Sequence, residues 1–309
     1  MTDATTIFPA RRVITMNPGL PFGTAVAVRG DKILGVGTVE ELQSWGEHTI
    51  DDQFADHVLT PGFIEAHSHV MSGGVWQFTY VGFFDRTGPD GKLWSGCKSI
   101  DEVIDRLAEV ESTMDDPSQT LIAWGLDPIY FPGERLIADH LDRVSEQRPI
   151  FVYHASAHLA TVNSALMTRS EINEHTTTPG VARHEDGRPN GELQEPPAML
   201  LADSAFMQVR AAMGSVEAKW NYAREGRNCG TTLVTDLGTT PVMDSTQIDE
   251  WRAATSDPDY PARVMVATAN LFGGSGDVTS DELAARGAVL KAECSDKLKF
   301  GIVKLVLDG

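Results

Sequence analysis

The sequence predicts an α/β protein organised around a parallel sheet. Two observations carry this. From residue 215 onward, helix-patterned and strand-patterned segments alternate, as βα units do. Earlier, a short apolar strand at 62–66 follows the turn signal Pro61-Gly62 and runs straight into His67-Ser68-His69. In parallel α/β folds, functional sites are built at such strand ends. The 309 residues suffice for one large domain or two ordinary ones, and 41% hydrophobic with 22% charged residues is ordinary globular composition.

Residues 6–58 read as short strands and turns, with 25–29 and 32–36 flanking the hairpin signal Gly30-Asp31. Such a hairpin must pack on something else to be stable. Residues 62–66 read as a buried strand. Alternation along it puts His67 and His69 on one face, and two neighbouring imidazoles suit a divalent metal. Residues 72–95 contain Trp76, Phe78, Tyr80, Phe83, Phe84 and Trp94. This segment reads equally as a substrate wall or as the core of an inserted subdomain. Ile100, Val103, Ile104, Leu107 and Val110 mark an amphipathic helix over 100–113, capped by Ser99 with Glu102. Strands are expected at 121–124 and 150–153, and an ordered loop or lid at 171–198. Helices follow at 215–227, at about 245–255, and from the Thr279/Glu282 cap to about 293. Strands fall at 231–236, 263–268 and 300–307. With 61–66 these make four strands of one sheet, and 72–214 is an insertion after the first.

The net charge of −19 disfavours nucleic acid and anionic membrane surfaces as partners. No apolar run approaches 18 residues, and no secretory signal opens the chain. Cys97, Cys229 and Cys294 are odd in number and widely spaced, which predicts reduced thiols and a cytoplasmic protein. Gly273-Gly274-Ser275-Gly276 lacks the ending of a P-loop, and no G-x-S-x-G elbow occurs. His154 and His158 have the i, i+4 spacing of a helical metal pair, but Ala155 stands where a zinc peptidase carries Glu. Asp236, at a strand end, either faces the site or caps the next helix.

Pro61-Gly62-Phe63-Ile64-Glu65-Ala66-His67-Ser68-His69 resembles the first-strand signature of the amidohydrolase superfamily, with Glu65 where Asp is usual. His158, Asn163-Ser164-Ala165-Leu166, Gly191-Glu192-Leu193-Gln194-Glu195 and Lys304-Leu305-Val306-Leu307-Asp308-Gly309 resemble its amidohydrolase-3 (YtcJ-like) branch, in that branch's order. The resemblance implies a (β/α)8, TIM-like barrel, of which this chain carries the first four strands. It assigns 1–58 to the N-terminal part of a β-sandwich domain and 59–309 to an incomplete hydrolase barrel with the insertion 72–214. It implies a metal-dependent hydrolase of a non-peptide, amide-type C–N bond in a small molecule, acting through metal-activated water. His67, His69 and a carboxylated Lys304 would hold one or two divalent ions, zinc first. Lys304 lies in an apolar run, so it is either buried toward the site or snorkels to solvent. His158, Asn163, Glu195, Trp76 and Asp308 are the substrate-binding candidates. The family's general-base Asp is expected beyond Gly309.

Four strands do not close a barrel. The expectation is therefore a truncated gene product, one half of a split enzyme, or a chain completed by another polypeptide or by a homo-oligomer. A catalytically incomplete half-barrel, acting as an assembly partner or pseudoenzyme, is the alternative reading.

Overall fold

The computed structural model describes residues 4–131, 133, 135–238, 240–268 and 278–304. The chain divides into two compact units, residues 1–63 and 64–309.

In the first unit, β1 (Thr5–Ile14), β2 (Phe22–Arg29), β3 (Lys32–Gly37) and β4 (His48–Ile50) form a sheet in the order β3-β2-β1-β4, with β5 (Val58–Leu59) also beside β1. β2 and β3 pair antiparallel with Arg29 opposite Lys32, and Gly30 takes the positive φ (56°) that the tight turn requires. Helix α1 (Val39–Gln43) adds Leu42 to a small core of Ile7, Ala25 and Ala27.

The second unit opens with β6 (Phe63–Ser68) and a 3-10 segment, Val70–Gln77. A six-stranded sheet follows, in the order β13-β14-β12-β11-β10-β7. Its strands are β7 (Thr79–Tyr80), β10 (Leu121–Leu126), β11 (Ile150–His154), β12 (Leu159–Val162), β13 (Val181–Arg183) and β14 (Pro189–Gln194), while β8 (Arg86–Thr87) and β9 (Leu93–Trp94) make a separate ribbon. Every residue of β10 and β11 is buried, so this sheet is covered on both faces. Ile122, Trp124, Phe151 and Tyr153 pack on one side, and Leu121, Ala123, Ile150 and Val152 on the other. Helix α2 (Ile100–Glu111) brings Val103, Ile104 and Leu107 to the second face, its first turn capped by Ser99 Oγ accepting from Glu102 N. Two short helices, α3 (Ala138–Asp142) and α4 (Ser164–Arg169), flank the inner strands. After α5 (Glu195–Met199), α6 (Asp203–Met213) lays Phe206 and Val209 on the first face.

The remaining elements are α7 (Val216–Asn228), β15 (Thr231–Asp236), α8 (Ser245–Ser256), β16 (Arg263–Thr268), α9 (Ser280–Ala292) and β17 (Leu298–Val303). They form a four-stranded sheet in the order β17-β16-β15-β6, parallel through β15, β16 and β17. Val234, Val264, Val266, Leu298 and Phe300 pack against Ile248, Trp251 and Leu290 of the helices. Thr279 and Glu282 form the expected capping box on α9.

Two expectations change, and two readings left open resolve. The strand before the histidines is not buried: Phe63 and Ile64 are 63% and 66% exposed, because β6 is the outer strand of its sheet, with β15 as its neighbour among the described residues. Residues 171–198 are not a loop. They contain β13, β14 and α5, and the buried carboxylate of Glu192 is compensated by Arg135 and by Gln194 Nε2 at 2.7 Å. The Asp186-Gly187 dipeptide between β13 and β14 is a hairpin signal that would have revealed them. His154 ends a strand and His158 lies in the turn beyond it, so they share no helix. Of the two readings of the aromatic segment after the histidines, core is the one its packing fits, Phe84 at 54% exposure excepted. Trp76 meets Trp124 edge-on at 4.9 Å, and Tyr80 lies 5.0 Å from Trp124. Among the described residues, no helix is long and apolar enough to cross a membrane.

Candidate active site

The carboxyl ends of β6 and β15 lie side by side: Ser68 Oγ donates to Thr235 O at 2.8 Å, and Leu237 N donates to Ser68 O at 3.0 Å. At the far side of the sheet, Lys304 leaves β17 with its N–H on Thr268 O at 3.2 Å. Between these ends sits Asp236, fully buried. It accepts from Val70 N at 3.2 Å and from Thr240 N and Oγ1 at 3.0 and 2.6 Å. Thr240 Oγ1 in turn accepts from Trp251 Nε1 at 2.9 Å. Asp236 thus ties the chain just after His69 to the turn following β15.

His67 and His69 stand edge to face with ring centroids 5.6 Å apart. Glu65 Oε1 accepts from the His67 backbone N–H at 3.2 Å, which gives the unusual Glu a local role. His67 is exposed. His69 is half-buried, and its Nδ1 is enclosed with no hydrogen-bond partner. Burial lowers the His69 pKa; Asp236 opposes this, and His67 and Lys304 add to it. A neutral imidazole is therefore favoured, with Lys304 near enough for its charge to be felt. An enclosed nitrogen without a partner is costly unless something occupies its lone pair or takes its proton. A neutral imidazole with a free nitrogen, a second imidazole beside it and a lysine nearby are a donor set that fits a divalent cation. Among the described residues, no three His, Cys, Asp or Glu side chains cluster to hold a metal by themselves. A third protein ligand here would have to be another kind of group, such as the Lys304 side chain.

A cavity of about 590 Å³ begins at His69 and Val70, reaches His158, and is walled by Met199, Phe206 and Trp251. His158 Nδ1 lies 2.9 Å from Glu195 Oε2, and Glu195 N donates to His158 O at 2.7 Å. Ala157 and Glu195 both hold left-handed backbone (φ 63° and 66°), a costly conformation for residues with a Cβ. Asn163 is placed elsewhere. It is fully buried, with Oδ1 accepting from Ile150 N and Leu166 N and Nδ2 donating to Ser145 O and Arg148 O, so its amide is consumed in holding backbone. Trp76 belongs to the aromatic core, with Nε1 donating to Glu225 Oε2 at 2.8 Å. Asp308 lies outside the described residues. Sequence reasoning missed Tyr153, Arg210 and Lys219, which also line the cavity. No local pattern marks them, since they come from a strand and two helices that only tertiary packing brings together.

His69 thus brings the strand-end histidine pair to a cavity that is partly open to solvent. The family model described as the amidohydrolase family matches residues 55–309, and the chain belongs to that family, in its amidohydrolase-3 branch. Among individual proteins, it is 24% identical over 314 residues to Protein LONG AFTER FAR-RED 3 of Arabidopsis thaliana, covering 96% of this chain and 49% of that protein. It is 25% identical over 293 residues to N-substituted formamide deformylase of Arthrobacter pascens, covering 92% and 51%. It is 26% identical over 175 residues to putative amidohydrolase YtcJ of Bacillus subtilis, covering 55% and 31%. A crystal structure of an uncharacterized metal-dependent hydrolase from Pyrococcus horikoshii shares the mixed α/β fold, with a TM-score of 0.54 at 15% identity over 97% of this chain and 54% of that one. The chain spans about half the length of the curated relatives it matches over most of its own sequence.

Proposed function

We propose that the intact protein is a metal-dependent hydrolase of an amide-type C–N bond in a small molecule. The observation that carries this reading is the enclosed, unpartnered Nδ1 of His69, beside His67 and within reach of the Lys304 charge, at the rim of the cavity. His67, His69 and Lys304, the last as its carbamate, would hold one or two divalent ions, zinc being the first candidate. A bound ion supplies Lewis acidity, which polarises the scissile carbonyl and makes water nucleophilic near neutral pH.

The chain's own residues do the rest. Asp236 fixes the backbone after His69 and so the direction of the imidazole. Glu195 orients His158, whose other ring nitrogen is then available to hydrogen-bond the substrate carbonyl. Met199, Phe206 and Trp251 exclude water and take an apolar substituent. The name of the Arthrobacter relative supports an N-substituted formamide as the first compound to try.

In this reading the four-stranded sheet is the first half of a (β/α)8 barrel, with 72–214 inserted after its first strand. The sheet of residues 1–58 is the N-terminal part of a β-sandwich domain. The protein works in the cytoplasm. The test is metal content by mass spectrometry of the intact protein, alongside hydrolysis of N-benzylformamide. The parent should carry at least one divalent ion per chain, and His67→Ala with His69→Ala should lose it while remaining folded. Equal metal in parent and variant would sink the ligand assignment. Metal retained with no turnover across a panel of amides would favour the non-catalytic scaffold.

A further inference from the structure

The cavity lining carries fixed charges of both signs. The chain carries a net charge of −19, yet two of the cavity's lining residues, Arg210 and Lys219, are fixed cations, and among the described residues the one lining carboxylate is Asp244. These charges are not equivalent. Lys219 is buried and compensated, its ammonium donating to Glu250 Oε2 at 2.7 Å and Gln247 Oε1 at 3.1 Å. Asp244 is engaged in capping α8, with Oδ1 accepting from Thr246 N at 2.9 Å. Arg210 is different: it makes no ion pair among the described residues.

Arg210 sits in the last turn of α6, whose Ala205, Phe206, Val209 and Ala212 face the core. A basic residue there is mildly favourable against the helix dipole, whatever it points at. Its position on the cavity wall needs a further reason, and the neighbouring chemistry supplies one. Tyr153, on the same wall, is 7% exposed, and burial pushes its hydroxyl up to about 12 with Arg210 opposing the rise. The hydroxyl is therefore a permanent donor near neutral pH, and Arg210 is close enough to act on it. Its one internal acceptor, Ala157 O, is a long 3.3 Å away. The Tyr153 ring lies 6.3 Å from Phe206, one helical turn before Arg210 on α6, and a guanidinium fork and a phenol donor on one cavity wall match the planar, two-oxygen face of a carboxylate. Met199, Phe206 and Trp251 leave the rest of the cavity apolar.

We propose that Arg210 and the Tyr153 hydroxyl form a carboxylate-recognition subsite, so that the amide this cavity accepts carries an anionic group together with an apolar one. The proposal rests on the hydrolase reading of the same site.

The experiment uses the intact protein and two nearly isosteric probes, 4-(formamidomethyl)benzoate and 4-(formamidomethyl)benzamide. Affinity is measured by calorimetry and hydrolysis by formate release. The parent should bind the carboxylate at least about tenfold more tightly than the amide, the range of one charge-assisted hydrogen bond. Arg210→Met should erase the difference, and Arg210→Lys should restore part of it. Equal affinities in the parent, binding of neither probe, or a preference that survives Arg210→Met overturns the subsite. The two readings fail separately. Discriminating binding without formate release keeps the subsite and counts against the hydrolase; formate released equally from both probes does the reverse.

Discussion

Lowering the pH from 7 to 5 will cost this protein stability through the buried imidazole of His154. It closes β11 at 2% exposure, with Nε2 2.9 Å from Thr161 Oγ1 and no partner for Nδ1. Burial, with the Arg135 charge adding to it, lowers its pKa to about 3. In the unfolded chain the same group titrates near 6.5. Between about pH 6.5 and about 3, therefore, the unfolded chain holds a proton that the folded one refuses. The depressed group contributes its full stability above the unfolded value, and that contribution is lost as the pH falls toward the folded value. One proton is worth about 1.4 kcal/mol per pH unit, so the loss between pH 7 and pH 5 is about 2 kcal/mol. The assay is urea unfolding followed by tryptophan fluorescence at both pH values, for the parent and for His154→Gln. Carboxylates titrate in both proteins, so the difference between the two pH dependences isolates His154. The parent should lose about 2 kcal/mol more than the variant. PH dependences that agree within about 0.5 kcal/mol would refute a buried neutral imidazole at this position.

Two further substitutions separate framework from site. Asn163→Ala removes four hydrogen bonds from a fully buried amide and leaves two N–H and two C=O groups wanting. At roughly 1–3 kcal/mol for each buried group left unsatisfied, and with partial relaxation, unfolding should become easier by about 3 kcal/mol or more. Metal content should not change, and a loss below about 1 kcal/mol in urea titration would contradict the framework role. Glu195→Gln keeps an acceptor for His158 but removes the carboxylate charge. It should lower kcat about tenfold, the scale of one weakened charge-assisted hydrogen bond holding a substrate-facing imidazole, at nearly constant KM and metal content. An unchanged kcat in both Glu195→Gln and Glu195→Ala would mean that His158 needs no orienting partner.

How much of this was legible in the sequence depended on where each element's partners lie. The βα units after residue 215 could be read because each buries its apolar stripe on its own sheet: Val234, Val264, Val266 and Phe300 report the period directly. The Ser99 and Thr279 caps were equally local. The histidine pair was visible for the same reason, since strand alternation sets its geometry. β14 was hidden because its sequence, Pro189 to Gln194, is polar, and its burial becomes tolerable only through Arg135, more than fifty residues away. The exposure of Phe63 and Ile64 was hidden too, because an outer strand and an inner one can share the same apolar run. Asn163 reads toward substrate by its motif, yet its amide is spent on backbone. A polar residue buried for the sake of backbone looks, in sequence, the same as one kept for chemistry. Arg210 gave no signal because its neighbour Tyr153 is fifty-seven positions earlier in the chain.

The bond from Ser68 Oγ to Thr235 O spans 167 residues. At about 5–20 residues per second, the ribosome needs roughly 8–33 s to deliver β15 after β6 has emerged. The six-stranded sheet between them lies wholly within residues 79–194 and can form while that interval runs. The strand bearing His67 and His69 thus waits for its neighbour with its edge and its two outward apolar side chains in water, the condition under which strands pair wrongly. Pulse-labelled hydrogen exchange during refolding should find the amides of β10 and β11 protected before those of β6 and β15. The reverse order would show that the histidine strand finds its place early. The residues best suited to chemistry are, on this account, the last to be sheltered as the chain is made.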